Sequence, residues 1–326
     1  MNTVSAKVTP SSTFGWLLKR EFWEHRGGFL WAPAITGGIV VVLYGLLAVI
    51  GSIAGRHHGE GGFNLDETPE KIHQIVGAFG DGVLLAGIML TCVVLAFVVF
   101  FYSLGALYDD RRDRSVLFWK SMPLSDTQTV LSKVAWALLL APVLALAAGL
   151  LVGVAMWLIT AVTMTVNGLP AGNALFTHSH PLRIVGSAIS VLPVYVAWAL
   201  PTVGWLMFCS AWSRSKPFLW AVLIPILACV IVSMMGILPG LHIRHDVVWY
   251  VVVYRGLLSV APGTWYGRIG TGNPGMEINT PDELARAIDL TDSWRAFATA
   301  DLWIGVVIGL VLIAGAVYMR RWRDDN

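Results

Sequence analysis

The chain reads as an all-α polytopic membrane protein, and three observations predict it. Hydrophobic residues fill 56% of its 326 positions and charged residues only 13%, whereas soluble domains carry about 25% charge. Six apolar runs each reach or approach the ~20 residues that one bilayer crossing needs. Basic residues gather in alternate connections between these runs, the pattern expected of short cytoplasmic loops. The net charge of +2 is too small to suggest a nucleic-acid partner.

Ahead of the first run, Ser11-Ser12-Thr13 offers helix caps. Phe14, Leu17, Leu18 and Phe22 then recur at helical spacing against Lys19, Arg20 and Glu24. Residues 13–27 therefore read as an amphipathic elbow helix in the inner membrane surface, with Trp16 and Trp23 at headgroup level. A plain helical lead-in to the first span fits the same residues. The first dozen residues are polar, and no cleaved signal peptide is expected.

Spans are expected over about 29–54, 82–107, 129–166, 184–212, 217–238 and 302–319. The third run could hide a hairpin, because its length as one helix, about 57 Å at ~1.5 Å per residue, is nearly twice the hydrocarbon thickness. Charge placement decides against that. With six spans and the N-terminus inside, fourteen basic and eight acidic residues lie on the inner side, against eight basic and twelve acidic outside. A seventh span would strand Arg214, Lys216 and the Arg320-Arg321 tail outside. The third run is read as one long helix, bent at Pro142.

In the outer segment 239–301, Val247 to Val260 is apolar, too short to cross and broken by Arg255, which suits a re-entrant or interfacial stretch. Thr280-Pro281-Asp282-Glu283 combines an N-cap, a first-turn proline and a capping glutamate, predicting a short helix to about Asp289. Asp81 and Asp301 read as caps of the second and sixth spans. One membrane domain accounts for residues 1–326.

Three cysteines, Cys92, Cys209 and Cys229, lie in apolar runs without paired spacing, so neither a disulfide framework nor a zinc site is expected. Seven of the eight histidines fall on the outer side, with His178 and His180 forming an H-x-H and His242 and His245 an H-x-x-H. Such imidazoles suit copper or zinc. No neighbouring Cys, Met or acid set completes a site, and solvent-facing loop histidines are the plainer reading. No G-x-x-x-x-G-K-[ST] phosphate loop, H-E-x-x-H or G-x-S-x-G occurs, so no catalytic residue is assigned and no cofactor is expected in this chain. Span hydroxyls such as Thr91, Thr160 and Thr202 fit an apolar or amphipathic cargo, and equally fit contacts between helices.

The densest signal is the connection Tyr108 to Asp126, YDDRRDRSVLFWKSMPLSD. Asp110 and Arg114 stand four apart in the favourable order for a helical pair. Leu117, Phe118 and Trp119 follow, Pro123 stops the helix, and Ser125 with Gln128 forms a capping box that opens the third span. A short helix showing Phe118 and Trp119 amid charge suits a partner's groove. The same aromatics could simply anchor the loop at the headgroups.

This loop resembles the first cytoplasmic loop of ABC-2 type transporter permeases, in a bacterial subgroup reading roughly D-R-R-D-x-S-x-x-F-W-K-S-x-P-x-S-D. Asp110, Arg111, Arg112, Asp113, Ser115, Phe118, Trp119, Lys120, Ser121, Pro123, Ser125 and Asp126 match it, and the N-terminal KREFWEHR and arginine-rich tail fit the same subgroup. The resemblance implies an elbow helix, six spans and re-entrant outer helices before the last span. It implies a bacterial inner-membrane location with both termini cytoplasmic, a second permease copy, and separate ATP-binding subunits that hold ATP and Mg. Coupling to those subunits would fall to Asp110 through Arg114, Phe118, Trp119, Lys120 and Pro123. Trp16, Lys19, Arg20, Glu21 and Glu24 of the elbow helix are candidates for contacts with the loop or partner, or are plain interfacial charges. The function implied is export powered by a partner's ATP hydrolysis. The alternative is a membrane scaffold or metal-handling component of an assembly system, which transports nothing itself.

The charge placement predicts that Lys216 and the C-terminal tail face the cytoplasm. Cysteines introduced at Lys216 and Arg323 should resist a membrane-impermeant maleimide in intact cells and react once the membrane is opened; labelling in intact cells would reverse the assigned topology.

Overall fold

The computed structural model describes residues 10–58, 69–112, 125–167, 172–236, 244–269 and 290–324. All regular structure among them is helical. In chain order the helices are α1 (Pro10–Arg26), α2 (Ala32–His58), α3 (Pro69–Arg112), α4 (Asp126–Ala135), α5 (Ala141–Val166), α6 (Gly172–His178), α7 (Pro181–Ser190), α8 (Leu192–Trp212), α9 (Ile224–Met235), α10 (His245–Trp249), α11 (Tyr266–Ile269) and α12 (Ala300–Asp324). Among the described residues five stretches are long and apolar enough to cross a membrane: Thr13–Gly55, Ile72–Arg112, Asp126–Val166, Leu175–Trp212 and Ala300–Trp322. A further apolar helix, Leu219–Met235, is shorter, about 26 Å at ~1.5 Å rise. The helices turn large apolar side chains outward, among them Leu47, Leu151 and Val311, each more than 60% exposed. Such a surface is compatible with lipid and costly in water, as expected of a multi-pass membrane protein.

Prolines shape these helices in a regular way. A proline lacks the N–H that would bond four residues back, and its ring presses on that carbonyl. In three places a π turn ends two residues before a proline: Gly27–Trp31 before Pro33, Trp136–Leu140 before Pro142, and Leu219–Leu223 before Pro225. In each, the residue preceding the proline donates its N–H five residues back, to the carbonyls of Gly27, Trp136 and Leu219. Widening one turn keeps the helix continuous across the proline. The carbonyl four residues before Pro225 is that of Ala221, and the Trp205 indole Nε1 donates to it at 3.0 Å.

These turns settle several expectations. The third run is one helical rod from Asp126 to Val166, about 62 Å long, with a widened turn before Pro142 in place of a hairpin. The elbow is not a detached helix, since α1 runs into α2 through the Gly27–Trp31 turn. The second span starts at Pro69, well before Gly82, with proline in the first helical position where its missing N–H costs nothing. The fourth run, expected as one helix over 184–212, divides at Val191 because Pro193 interrupts the ladder there.

Two acids expected as caps do other work. Asp81 lies well inside α3 and accepts the backbone N–H of His180 at 2.7 Å, tying α3 to the start of α7. Asp301, in the first turn of α12, accepts the Tyr250 hydroxyl and faces Arg255 Nε at 3.7 Å. In the 239–301 segment, α10 passes into the π turn Tyr250–Arg255 and then into turns leading to α11, so the 247–260 stretch does not cross as a helix. The helix expected at 280–289 lies outside the described residues. All three cysteines are free thiols.

The core follows two tight helix pairs, α3 with α5 and α8 with α12, around Ile88, Val99, Ala145, Trp198 and Val203. Backbones touch where glycines meet. A Cβ on Gly204 would stand 2.7 Å from the Gly309 carbonyl oxygen, and one on Gly153 2.5 Å from that of Leu84. Across the α2–α5 contact, Tyr44 Oη and Thr160 Oγ1 lie 2.7 Å apart, and Asn167 donates to Ser52 Oγ at 2.8 Å. Gly153→Val should cost about 1–3 kcal/mol by overpacking, whereas Gly38→Val, at a site with no neighbouring atom within 4 Å, should cost less than about 1 kcal/mol. Denaturation of the two variants in detergent checks this difference.

Candidate functional site

Where α1, the last turn of α3, the start of α4 and the end of α12 converge, three acids and three bases meet. The sequence of α1 brings Leu17 and Glu21 onto one face, one helical turn apart, and both are buried, with Glu21 at 0% exposure. Trp16, Lys19, Trp23 and Glu24 face outward. In α4 the capping box is formed: Gln128 N donates to Ser125 Oγ at 3.2 Å, and Ser125 N to Gln128 Oε1 at 3.5 Å. With the helix start fixed, Thr129, Val130, Lys133 and Val134 turn inward, and Lys133 is 1% exposed.

Lys133 Nζ lies 3.0 Å from Glu21 Oε1 and 3.4 Å from Asp110 Oδ1. The first contact is an ion pair oriented off the hydrogen-bond direction; the second is also a hydrogen bond. Arg20 Nη2 stands 3.3 Å from Glu21 and 3.7 Å from Asp110, while its Nε reaches Glu24 at 3.1 Å. From α12, Arg320 Nη1 meets Asp110 Oδ2 at 3.4 Å and its Nε meets Asp126 Oδ1 at 3.2 Å. Tyr102 of α3 donates its hydroxyl to Glu21 Oε2 at 2.8 Å. Phe29 packs edge-on against both Tyr102 and Trp136, and Phe22 against Trp136, which walls the cluster with hydrocarbon.

Taken as unit charges, Arg20, Lys133 and Arg320 balance Glu21, Asp110 and Asp126. At an effective dielectric of about 20, a pair at 3 Å attracts by roughly 5.5 kcal/mol. Desolvating two ions offsets most of that, so the cluster adds little net stability and much geometric definition, while removing one member leaves an uncompensated buried charge.

Asp110 and Asp126 sit on the two stems of the charged loop, and Arg320 grips both. Arg111 turns inward as well. Its Nη2 donates to the carbonyls of Ser210 and, at 3.1 Å, Ser213, where α8 ends with orphan acceptors. Ser210 Oγ accepts from Leu107 N at 3.1 Å and Tyr108 N at 2.9 Å. Arg112 is exposed. Asp113, Arg114, Phe118, Trp119, Lys120 and Pro123 lie outside the described residues, as does the Asp110–Arg114 pair. Of the elbow candidates, Arg20 and Glu21 join the cluster and are not plain interfacial charges, Glu24 is held by Arg20, and Trp16 and Lys19 face out, with Lys19 Nζ 5.0 Å from the Trp16 ring centroid.

Among the described residues the histidines other than His25 do not gather a metal set. His178 pairs with the His73 ring at 5.5 Å, His180 lies 3.8 Å from Asp81, and His245 stands alongside Gly236; His242 is outside the description. Among the described residues, the one group of three whose ligand atoms come within 4.8 Å is Glu21, Glu24 and His25. Arg20 and Lys133 already compensate those carboxylates, so a cation there would meet two fixed positive charges.

Sequence reading assigned no site role to Lys133, Tyr102 or Arg320, and Arg320 entered only as part of the basic tail. Lys133 carried a signal, being a lone cation about one turn into a long apolar run, where an ionisable side chain implies a partner. Compared with protein-family models, curated proteins and solved structures, the chain matches none.

Glu21→Leu should destabilise the protein by about 3 kcal/mol, and Glu21→Leu with Lys133→Met should recover at least about 1 kcal/mol of it. Denaturation of the single and double variants in detergent measures the coupling. Strictly additive losses would mean that the two side chains do not interact.

Proposed function

We propose that the chain is the permease subunit of an ABC-2 type exporter in a bacterial inner membrane, with both termini cytoplasmic. It would work with a second copy of itself and with separate ATP-binding subunits, which hold ATP and Mg. Leu219–Met235 then serves as the fifth of six spans, its slight shortness absorbed by local thinning of the bilayer. The charge cluster lies at the cytoplasmic face in this arrangement.

One observation supports the reading above the rest. Both stems of the 113–124 connection are bound by salt bridges to α1 and α12, through Asp110 with Arg20, Lys133 and Arg320, and through Asp126 with Arg320. A push on that connection would therefore reach four helices as one body instead of being absorbed by a slack loop. ATP-driven closure of the partner pair against Phe118 and Trp119 would tilt α3 and α4 and carry α1 and α12 with them. The path between two permease copies would open outward.

Phe118→Ala combined with Trp119→Ala should weaken capture of the ATP-binding subunit by roughly thirtyfold, the loss of about 2 kcal/mol of anchor energy, while membrane insertion is unchanged. Co-purification of the tagged chain with its co-expressed ATPase checks this. Equal recovery with wild type and variant removes the docking role from these aromatics, and failure of the wild-type chain to recover any ATPase removes the permease reading.

A further inference from the structure

An apolar cavity of about 400 Å³ lies between α8, α9, α12 and the Tyr250–Arg255 turn. Trp205, Cys229, Val232, Val252 and Ile308 line it, and Arg255 and Asp301 supply its charged lining. Asp301 and Leu312, both on its wall, are eleven residues apart on α12, a length of about 17 Å. Val251, Ile304 and Ile308 line it and are also exposed at 53%, 58% and 47%. The cavity thus opens sideways, on the apolar surface that faces lipid.

Arg255 is 6% exposed and lies with Cζ 3.8 Å from the Trp198 ring centroid. Its Nη1 donates to the Trp198 carbonyl at 3.2 Å and Ser259 Oγ at 3.1 Å, its Nη2 to the Asp301 carbonyl at 3.2 Å, and its Nε faces the Asp301 carboxylate at 3.7 Å. A guanidinium has five N–H donors, so one Nη2 hydrogen is left over. Nη2 lies against Gly305, on the cavity wall, where a Cβ would collide with it. A donor in so dry a place needs an acceptor. Asp301 already balances the charge of Arg255, so that acceptor need not be an anion, and a second negative group beside Asp301 would be repelled.

We infer that this cavity binds one acyl chain of a neutral membrane lipid, with its ester carbonyl oxygen accepting from Arg255 Nη2 and its methylenes running along α12 toward Leu312. Moving a chain from bilayer to cavity exchanges one apolar surrounding for another, so residence is decided by that hydrogen bond and by fit. The inference does not depend on the permease reading.

The probe is hexadecanoic acid methyl ester carrying a mid-chain diazirine, photolysed with the purified full chain in detergent and mapped by peptide mass spectrometry. Label should concentrate at least tenfold on the wall residues of α9 and α12 over the outer faces of α2 and α5, and excess unlabelled methyl hexadecanoate should compete it away. Ala228→Phe, which fills the cavity, and Gly305→Leu, whose Cβ would displace the Arg255 guanidinium, should each reduce it at least fivefold, and the free acid should label no better than the ester. Even label over all outer faces, or label that neither competitor nor filling variants reduce, would overturn the proposal. So would a free acid that labels tenfold better, which would require an anion site. Cross-linking of two copies by a bismaleimide through Cys229 would also overturn it, because a second chain would then occupy the opening.

Discussion

The contact between Lys133 and Glu21 is the constraint on which the basic end of the molecule depends. Neither ion tolerates burial alone, and each is fully enclosed, so α1 and α4 can pack only in the register that joins them. Once they are joined, Asp110 is drawn to the same ammonium group and α3 is placed. Arg320 then closes the set by finding the two carboxylates that remain, and α12 is placed with it. Apolar packing alone would leave these helices free to slide, since hydrocarbon surfaces fit one another in many ways in a medium that is itself hydrocarbon. Direction and register come from the charges.

The sequence was most legible where the physics is local. Hydropathy marked most of the crossing segments, and the reciprocal bonds of Ser125 and Gln128 were readable from spacing because a capping box involves four consecutive residues. Basic residues in short connections correctly favoured one rod over a hairpin at 126–166. Legibility fell where proline was concerned. Pro142 read as a bend, yet the turn before it widens and absorbs it, as the turns before Pro33 and Pro225 also do, whereas Pro193 divides its run. At Pro225 the carbonyl freed by the proline, that of Ala221, is met by the Trp205 indole from another helix, and no local pattern reports that.

The charged site was half legible for the same reason. The loop residues were conspicuous as a block, but Arg111 and Asp110 face inward to α8, α4 and α12, and their partners are up to 210 positions away in the chain. Glu21 looked like one polar residue among several on an amphipathic helix. Its burial follows from the phase of α1 against α4, which the apolar stripe of Phe14, Leu17, Leu18 and Phe22 brackets on both sides without excluding a carboxylate in the middle. Asp81 and Asp301 looked like caps because apolar runs begin beside them, while the helix around Asp81 extends further than hydropathy indicated.

The closing helix carries a buried salt bridge at each extremity, Asp301 with Arg255 and Arg320 with Asp110, nineteen residues apart, or about 28 Å. That interval is close to the ~30 Å depth of the hydrocarbon layer. The helix is thereby pinned to its neighbours at both ends and cannot slide against them along its own axis. A membrane of longer or shorter lipid tails must then be met by leaning of the whole assembly or by deformation of the surrounding leaflets, at fractions of a kcal/mol per ångström.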